Sequence, residues 1–177
     1  MLASLSELKL HLSMTTDASD EVLTQLLVAA SAQVEAFLGR DILAADYLDE
    51  FDGRGLRAHM LLNSPAVSVS SVMINGREIE QSSGYGSSGW RLSGRFVLVE
   101  GGFPDGNLNC SVSYRAGYET VPAAIKQAVI DSAAHQFKEL DRIGVSSKTL
   151  ATETIAFRDA ENHKRWAMSL NPYRSVV

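Results

Sequence analysis

The sequence predicts an α+β fold, a helical bundle of two long and two shorter helices with a central antiparallel β insertion. Three observations predict it. Apolar residues recur at helical spacing up to Gly39 and again beyond Pro122, and between these points the spacing is that of strands. The middle of the chain is also punctuated by turn residues: Asp52 to Gly55, Asn63 to Pro65, and the Asn75-Gly76 dipeptide favoured in tight hairpins. Finally, 177 residues with 45% hydrophobic and 21% charged side chains are enough to collapse around a core, so disorder is excluded as the main state.

Ser4 and Glu7 stand at capping-box spacing, and Leu5, Leu8 and Leu12 share one face of a short first helix. Thr16 or Asp17 is the expected cap of the second, long helix, whose stripe runs through Val22, Leu23, Leu26, Leu27, Ala30, Val34, Phe37 and Leu38. Gly39 ends it by accepting the left-handed conformation. In Val67 to Ile74 the strand alternation slips by one at Ser70-Ser71, as a bulge requires. Leu108, Cys110, Val112 and Tyr114 define one face of a cleaner strand. Gln81 to Gly89, rich in Ser and Gly, reads as a mobile loop. Pro122 opens a third helix with a stripe of Ile125, Ala128, Val129, Ala133, Phe137 and Leu140, expected to pack on the second. Gly144 to Phe157 lacks a sustained period and reads as a long connection or arm. A last helix from about Arg158 to Leu170 is expected to bury Trp166, Ala167 and Leu170 before Asn171-Pro172 stops it. The organisation is one domain over residues 1–177. Residues 1–40 and 120–143 form the helical core, 41–118 the β insertion, and 144–177 the C-terminal arm, helix and tail.

Composition narrows the function. A net charge of −5 and a pI near 5.3 argue against a dedicated nucleic-acid binder, which gains its affinity by neutralising phosphates. The segment Leu26 to Ala30 is too short an apolar run for a membrane span, and the charged start with Glu7 and Lys9 is unlike a secretory signal, so cytoplasmic synthesis without membrane association is expected. A single cysteine, Cys110, makes no internal disulfide.

Each candidate for chemistry has a plainer explanation. Gly84, Gly86 and Gly89 spell a dinucleotide-binding pattern, but strand-like Trp90 to Val99 follows where a helix must begin, so a hairpin loop is the better reading. Asp46, Asp49, Glu50 and Asp52 are interrupted by Tyr47, Leu48 and Phe51 and lack calcium-loop spacing; they read as charged hairpin ends. His11, His59, His135 and His163 lie on separate elements, and Cys110 falls on an inward strand face. Asn109-Cys110-Ser111 has glycosylation spacing but is expected never to meet that enzyme. No catalytic residue, cofactor or metal site is predicted. Trp90, Trp166, Phe103, Tyr118 and Tyr173 remain as aromatic residues in or beside loops and ends, the kind that anchors interfaces.

An ordered series of stretches goes further. It comprises Leu5-Ser6-Glu7-Leu8-Lys9 with His11-Leu12; Ala32-Gln33-Val34-Glu35-Ala36-Phe37-Leu38-Gly39-Arg40; Leu62-Asn63-Ser64-Pro65 with Val67 to Val72; and Asn75-Gly76. Val112-Ser113-Tyr114-Arg115-Ala116-Gly117-Tyr118 follows, then Val121-Pro122-Ala123-Ala124-Ile125-Lys126-Gln127-Ala128, and finally Asn171-Pro172-Tyr173-Arg174. This series resembles the head-tail connector, or adaptor, family of long-tailed bacteriophages, prophages and gene-transfer particles. The resemblance implies a structural virion protein, not an enzyme, made in the host bacterial cytoplasm and placed at the neck. It implies a ring, commonly of twelve subunits, between the portal protein and the tail or next neck protein, with a channel for DNA. The whole chain is then a single connector domain whose portal contacts are Trp166, Tyr173 and Arg174. Gly117 and Pro122 fix the strand-to-helix corner, and Arg40, Arg54 and Arg57 make transient, non-specific contacts with DNA. The alternative is another neck component such as a stopper or tail-completion protein; a small cation- or nucleotide-dependent enzyme is the third reading.

Overall fold

The computed structural model describes residues 1–84, 87–140, 147–150, 153–156 and 169–174. The chain forms two compact units, a helical one of Met1–Ile42 with Thr120–Val177 and a β unit of Leu43–Glu119.

In the helical unit, α1 spans Leu5–His11, α2 Asp20–Leu38 and α3 Ala123–Leu140. The Ser4 and Glu7 capping box is present: the Glu7 amide donates to Ser4 Oγ at 3.3 Å and the Ser4 amide to Glu7 Oε2 at 2.8 Å. Glu7 also reaches across to α3, accepting from Lys126 Nζ at 2.8 Å. The entry to α2 differs from expectation. Ser19 is the cap residue and makes no side-chain cap bond. Asp17 is engaged instead by Lys9, whose ammonium lies 2.6 Å from it and 2.8 Å from Asp20. Gly39 closes α2 at φ 68° and returns its amide to Glu35 O at 2.9 Å.

Although α2 has the length and apolarity of a membrane span, Leu23, Leu27, Ala30, Val34 and Leu38 on it are wholly buried. α2 packs on α3, whose Ile125, Val129 and Ala133 are likewise wholly buried, so the stripe is core. Polar groups at this contact are satisfied. The Leu2 amide donates to Ser31 Oγ at 3.1 Å, the Ser31 hydroxyl donates to Leu27 O at 2.7 Å, and Gln136 Nε2 donates to Gln33 Oε1 at 3.1 Å.

The β unit contains β1 (Ala45–Gly53), β2 (Ala58–Met60), β3 (Ala66–Ile74), β4 (Arg77–Ile79), β5 (Trp90–Ser93), β6 (Phe96–Val99) and β7 (Gly106–Ala116). All pairings are antiparallel: β1-β7-β3-β4 in one sheet and β2-β6-β5 in the other. Their inner faces share one core, with Leu61, Val72, Trp90, Val97, Phe103, Cys110, Val112 and Tyr114 at its centre. The β3 register shifts between Val69 and Ser71, at the slip read from the alternation. Asn75 and Gly76 take φ 52° and 72°, as a type I′ turn demands. Leu108 leaves the expected apolar face, being exposed at φ 45°, because β7 is irregular at its start.

The predicted four-helix bundle is therefore corrected. Among the described residues there are three α-helices, two antiparallel sheets in the β unit and a two-stranded one in the C-terminal arm, a mixed α/β fold in which β1, β3 and β7 alternate over nine to eleven residues and build a core of their own. The arm also differs, since β8 (Ser147–Leu150) and β9 (Glu153–Ala156) form an antiparallel hairpin where no period was read. Of the predicted last helix, residues 158–168 lie outside the described residues; Ser169 and Leu170 are helical, Leu170 is wholly buried, and a 3-10 turn spans Asn171–Tyr173.

Leu27→Ala, which opens a cavity where α2 meets its neighbours, is expected to cost about 3 kcal/mol of unfolding free energy, checked by urea denaturation followed by circular dichroism.

Candidate functional site

One cleft in the β unit gathers side chains from several strands. It encloses about 400 Å³ and is lined by Phe51 and Asp52 of β1, Arg54 and Leu56 of the following loop, Ala58, His59 and Met60 of β2, Phe96 of β6, and Phe103. Its floor is aromatic. The His59 ring stacks on Phe51 with centroids 3.4 Å apart and planes at 4°, and Phe103 meets Phe51 edge-on at 5.1 Å. Its rim is apolar and open to solvent, with Leu56 63%, Met60 43% and Phe96 41% exposed.

Beneath the floor lies a buried polar network. Asp49, only 4% exposed, accepts from the Tyr114 hydroxyl at 3.0 Å and from the Leu62 amide at 3.0 Å, one bond to each carboxylate oxygen. The Tyr114 oxygen in turn accepts from the Asn63 amide at 3.0 Å and side chain at 3.3 Å. Burial pushes the Tyr114 phenol above its ordinary value, and the Asp49 charge adds to this. His59 Nε2 lies 3.8 Å from Asp49 Oδ2, too far for a hydrogen bond, and is a buried nitrogen without a hydrogen-bond partner. Burial outweighs the attraction of the carboxylate and holds the imidazole below its ordinary value. A neutral imidazole, a fully engaged carboxylate and a ring of apolar side chains suit this cleft to binding an apolar segment.

The helical unit offers a second surface. Opposite its buried stripe, α2 exposes Val22, Gln25, Val28, Ala29, Ala32 and Ala36. Charge on this side is confined to Glu21, exposed in the first turn, and Glu35, half-buried at the margin of the face. Solvated helix faces are ordinarily charged, so a face this poor in charge over four turns is suited to contact.

The family model that describes the head completion protein matches residues 1–176. The chain belongs to the head completion protein family. No curated protein matches it. Among solved structures, a chain in the neck of an empty gene transfer agent particle, computed with C6 symmetry, is 17% identical, with a TM-score of 0.61 over 99% of this chain and 91% of that one. A chain in the neck of the native particle, computed with C12 symmetry, gives 16% identity and a TM-score of 0.60 over 99% and 90%. A chain of the native gene transfer agent virion gives 17% and 0.60 over 99% and 91%. At these identities the similarity is one of fold.

Along the chain, the residues that the sequence points to are scattered. Trp166 lies outside the described residues. Tyr173 and Arg174 follow the buried Leu170, and the Arg174 guanidinium lies over the Phe37 ring of α2, 5.6 Å from its centroid. Gly117 has φ 110°, and a Cβ there would stand 2.6 Å from Leu43 O. Pro122 immediately precedes α3, its carbonyl accepting from the Lys126 amide at 3.0 Å. Trp90 and Phe103, expected at loops and ends, are core residues, 6% and 2% exposed. The acids expected at hairpin ends all lie within β1, where alternation turns Asp49 inward and leaves Asp46, Glu50 and Asp52 exposed. Gly84 and Gly89 belong to the β4-to-β5 connection, which leads into a strand, and Gly86 lies outside the described residues. Cys110 is buried, and burial raises its thiol. His59 was missed as a site residue because its stacking partner lies on another strand.

The cleft predicts a pH dependence. As pH falls from the ordinary histidine value of 6.5, the unfolded chain takes up a proton that the buried His59 refuses, so stability drops until the lower folded-state value is passed. Urea midpoints should fall between about pH 7.5 and about pH 5.5, and His59→Asn should flatten this interval. Glu7, held at about 2 by its bonds to Lys126 and Ser4, contributes above its ordinary 4.5 and loses its contribution only in more acid solution, so it does not mask the effect.

Proposed function

We propose that this protein is a head-tail connector, a structural component of the virion neck that assembles as a ring of twelve subunits between the portal protein and the tail or next neck protein. The ring leaves a channel through which DNA passes, and no copy catalyses a reaction. The family match across residues 1–176 carries this reading. The structural neighbours support it, since they come from necks computed with C12 and C6 symmetry.

The physics of the chain fits the task. A head-to-tail contact closes into a ring when its rotation divides the circle, and the charge-poor α2 face, with Glu21 in its first turn and Glu35 at its margin, supplies a surface on which a second copy can seat while burying few charges. Each subunit carries a net charge of −5, so the channel has little general affinity for phosphate and does not stall the DNA. Arg40, Arg54 and Arg57 supply transient, non-specific contacts. The protein is made in the host cytoplasm and acts at the virion neck as one connector domain over residues 1–177. Trp166, Tyr173 and Arg174 contact the portal, supported by the exposure of Arg174 and partial exposure of Tyr173 beside the anchoring Leu170. Gly117 and Pro122 shape the chain between β7 and α3; the positive φ of Gly117 and its close approach to Leu43 leave no room for a side chain there.

Portal oligomer from the same genome should capture the purified protein. Deleting residues 171–177 or introducing Trp166→Ala should weaken capture by about tenfold or more, as loss of an interface anchor does; unchanged capture by both variants removes the assigned contact. Ala32→Glu places a charge on the exposed α2 face. It should alter folding stability by no more than about 0.5 kcal/mol while shifting the portal-bound assembly to fewer copies, read by mass photometry.

A further inference from the structure

We propose that the cleft of the β unit is a strand-acceptor seam, filled in the assembly by the β8–β9 hairpin of a second copy of this chain. The proposal rests on the ring reading above and adds to it the identity of one contact. The four-stranded sheet ends at β1 and the three-stranded sheet ends at β2, so each sheet presents an edge with no backbone partner among the described residues. Both edges border the same cleft: Phe51 and Asp52 come from β1, and Ala58, His59 and Met60 from β2. Between them the two sheets meet by side chains, through the Phe51 and His59 stack and the bond from the Leu62 amide to Asp49. An open strand edge beside an apolar groove is the arrangement used for strand addition, in which the backbone gives affinity and the groove receives alternate side chains.

The occupant is indicated by the other incomplete sheet of this chain. β8 and β9 pair only with each other, from Ser147↔Ala156 to Leu150↔Glu153. A lone two-stranded hairpin is marginal in water and gains stability from a third strand. Its strands are four residues long, against three in β2, so a single strand covers that edge. Its sequence, Ser-Lys-Thr-Leu and Glu-Thr-Ile-Ala, carries the Thr and Ile that suit strands. An arm of one subunit meeting the seam of the next is a heterologous contact of the kind that builds rings.

The test uses full-length protein assembled on portal oligomer. Met60→Cys and Thr154→Cys variants are mixed, assembled and mildly oxidised, then resolved without reductant; Leu56→Cys serves as a second acceptor should Met60→Cys fold poorly. Cys110, which is buried, is left in place. Disulfide-linked heterodimers should exceed those formed by either variant alone by about tenfold, as neighbouring positions raise effective concentration. Assemblies of wild-type mass without heterodimers at either acceptor overturn the docking and leave the ring standing; failure to assemble at all overturns both. A chain carrying both substitutions that links only to itself, or a hairpin thiol that links to portal instead, also overturns the proposal.

Discussion

The fold and its use both turn on α2, a helix with an apolar inner face and an outer face poor in charge. Its inner face is fixed by Leu23, Leu27, Ala30, Val34 and Leu38, all wholly buried against the neighbouring helices. Its outer face repeats Val, Ala and Gln over four turns, where a solvated helix would carry Lys and Glu. Its three charges are Asp20, engaged by Lys9, Glu21 in the first turn, and Glu35, half-buried at the edge of the outer face. Such a helix is stable in one copy, because its core side is complete, yet its outer side is better covered than wet.

The β unit follows the same logic by different means. Its core is closed around Tyr114 and Asp49, a buried pair whose hydrogen-bonding groups are matched by Leu62 and Asn63, and that network fixes how the two sheets meet. β4 and β5 end the two sheets on one side, and on the other β1 and β2 leave a margin where the aromatic rings of Phe51 and His59 stack. Neither unit presents a nucleophile poised beside a base among the described residues. Both present surfaces whose free energy is lowered by contact, the physical signature of a part in an assembly.

Local chemistry made much of this legible in sequence. The Ser4 and Glu7 box, the left-handed Gly39, the Asn75-Gly76 turn and the slip at Ser70-Ser71 each depend on neighbours within four residues, and the structure has all of them. Long-range burial was not legible. Trp90 and Phe103 sit next to turns, and only the packing of one sheet on the other makes them core. Asp49 looks like its neighbours Glu50 and Asp52 until strand alternation turns it toward Tyr114, 65 positions away. His59 gains its role only when β2 lies beside Phe51. The 147–156 hairpin was missed because each strand has four residues, too few for a period to show against helix or coil.

The central claim is that identical copies arranged around a hole, and not a single molecule, perform the function. Cryo-electron microscopy of the particle vertex, with this protein tagged at its N-terminus, tests it most directly. The account requires a closed ring of tagged subunits, twelve in number, seated on the portal around the DNA path. A vertex without the tag, or a single copy bound off the axis, would contradict it.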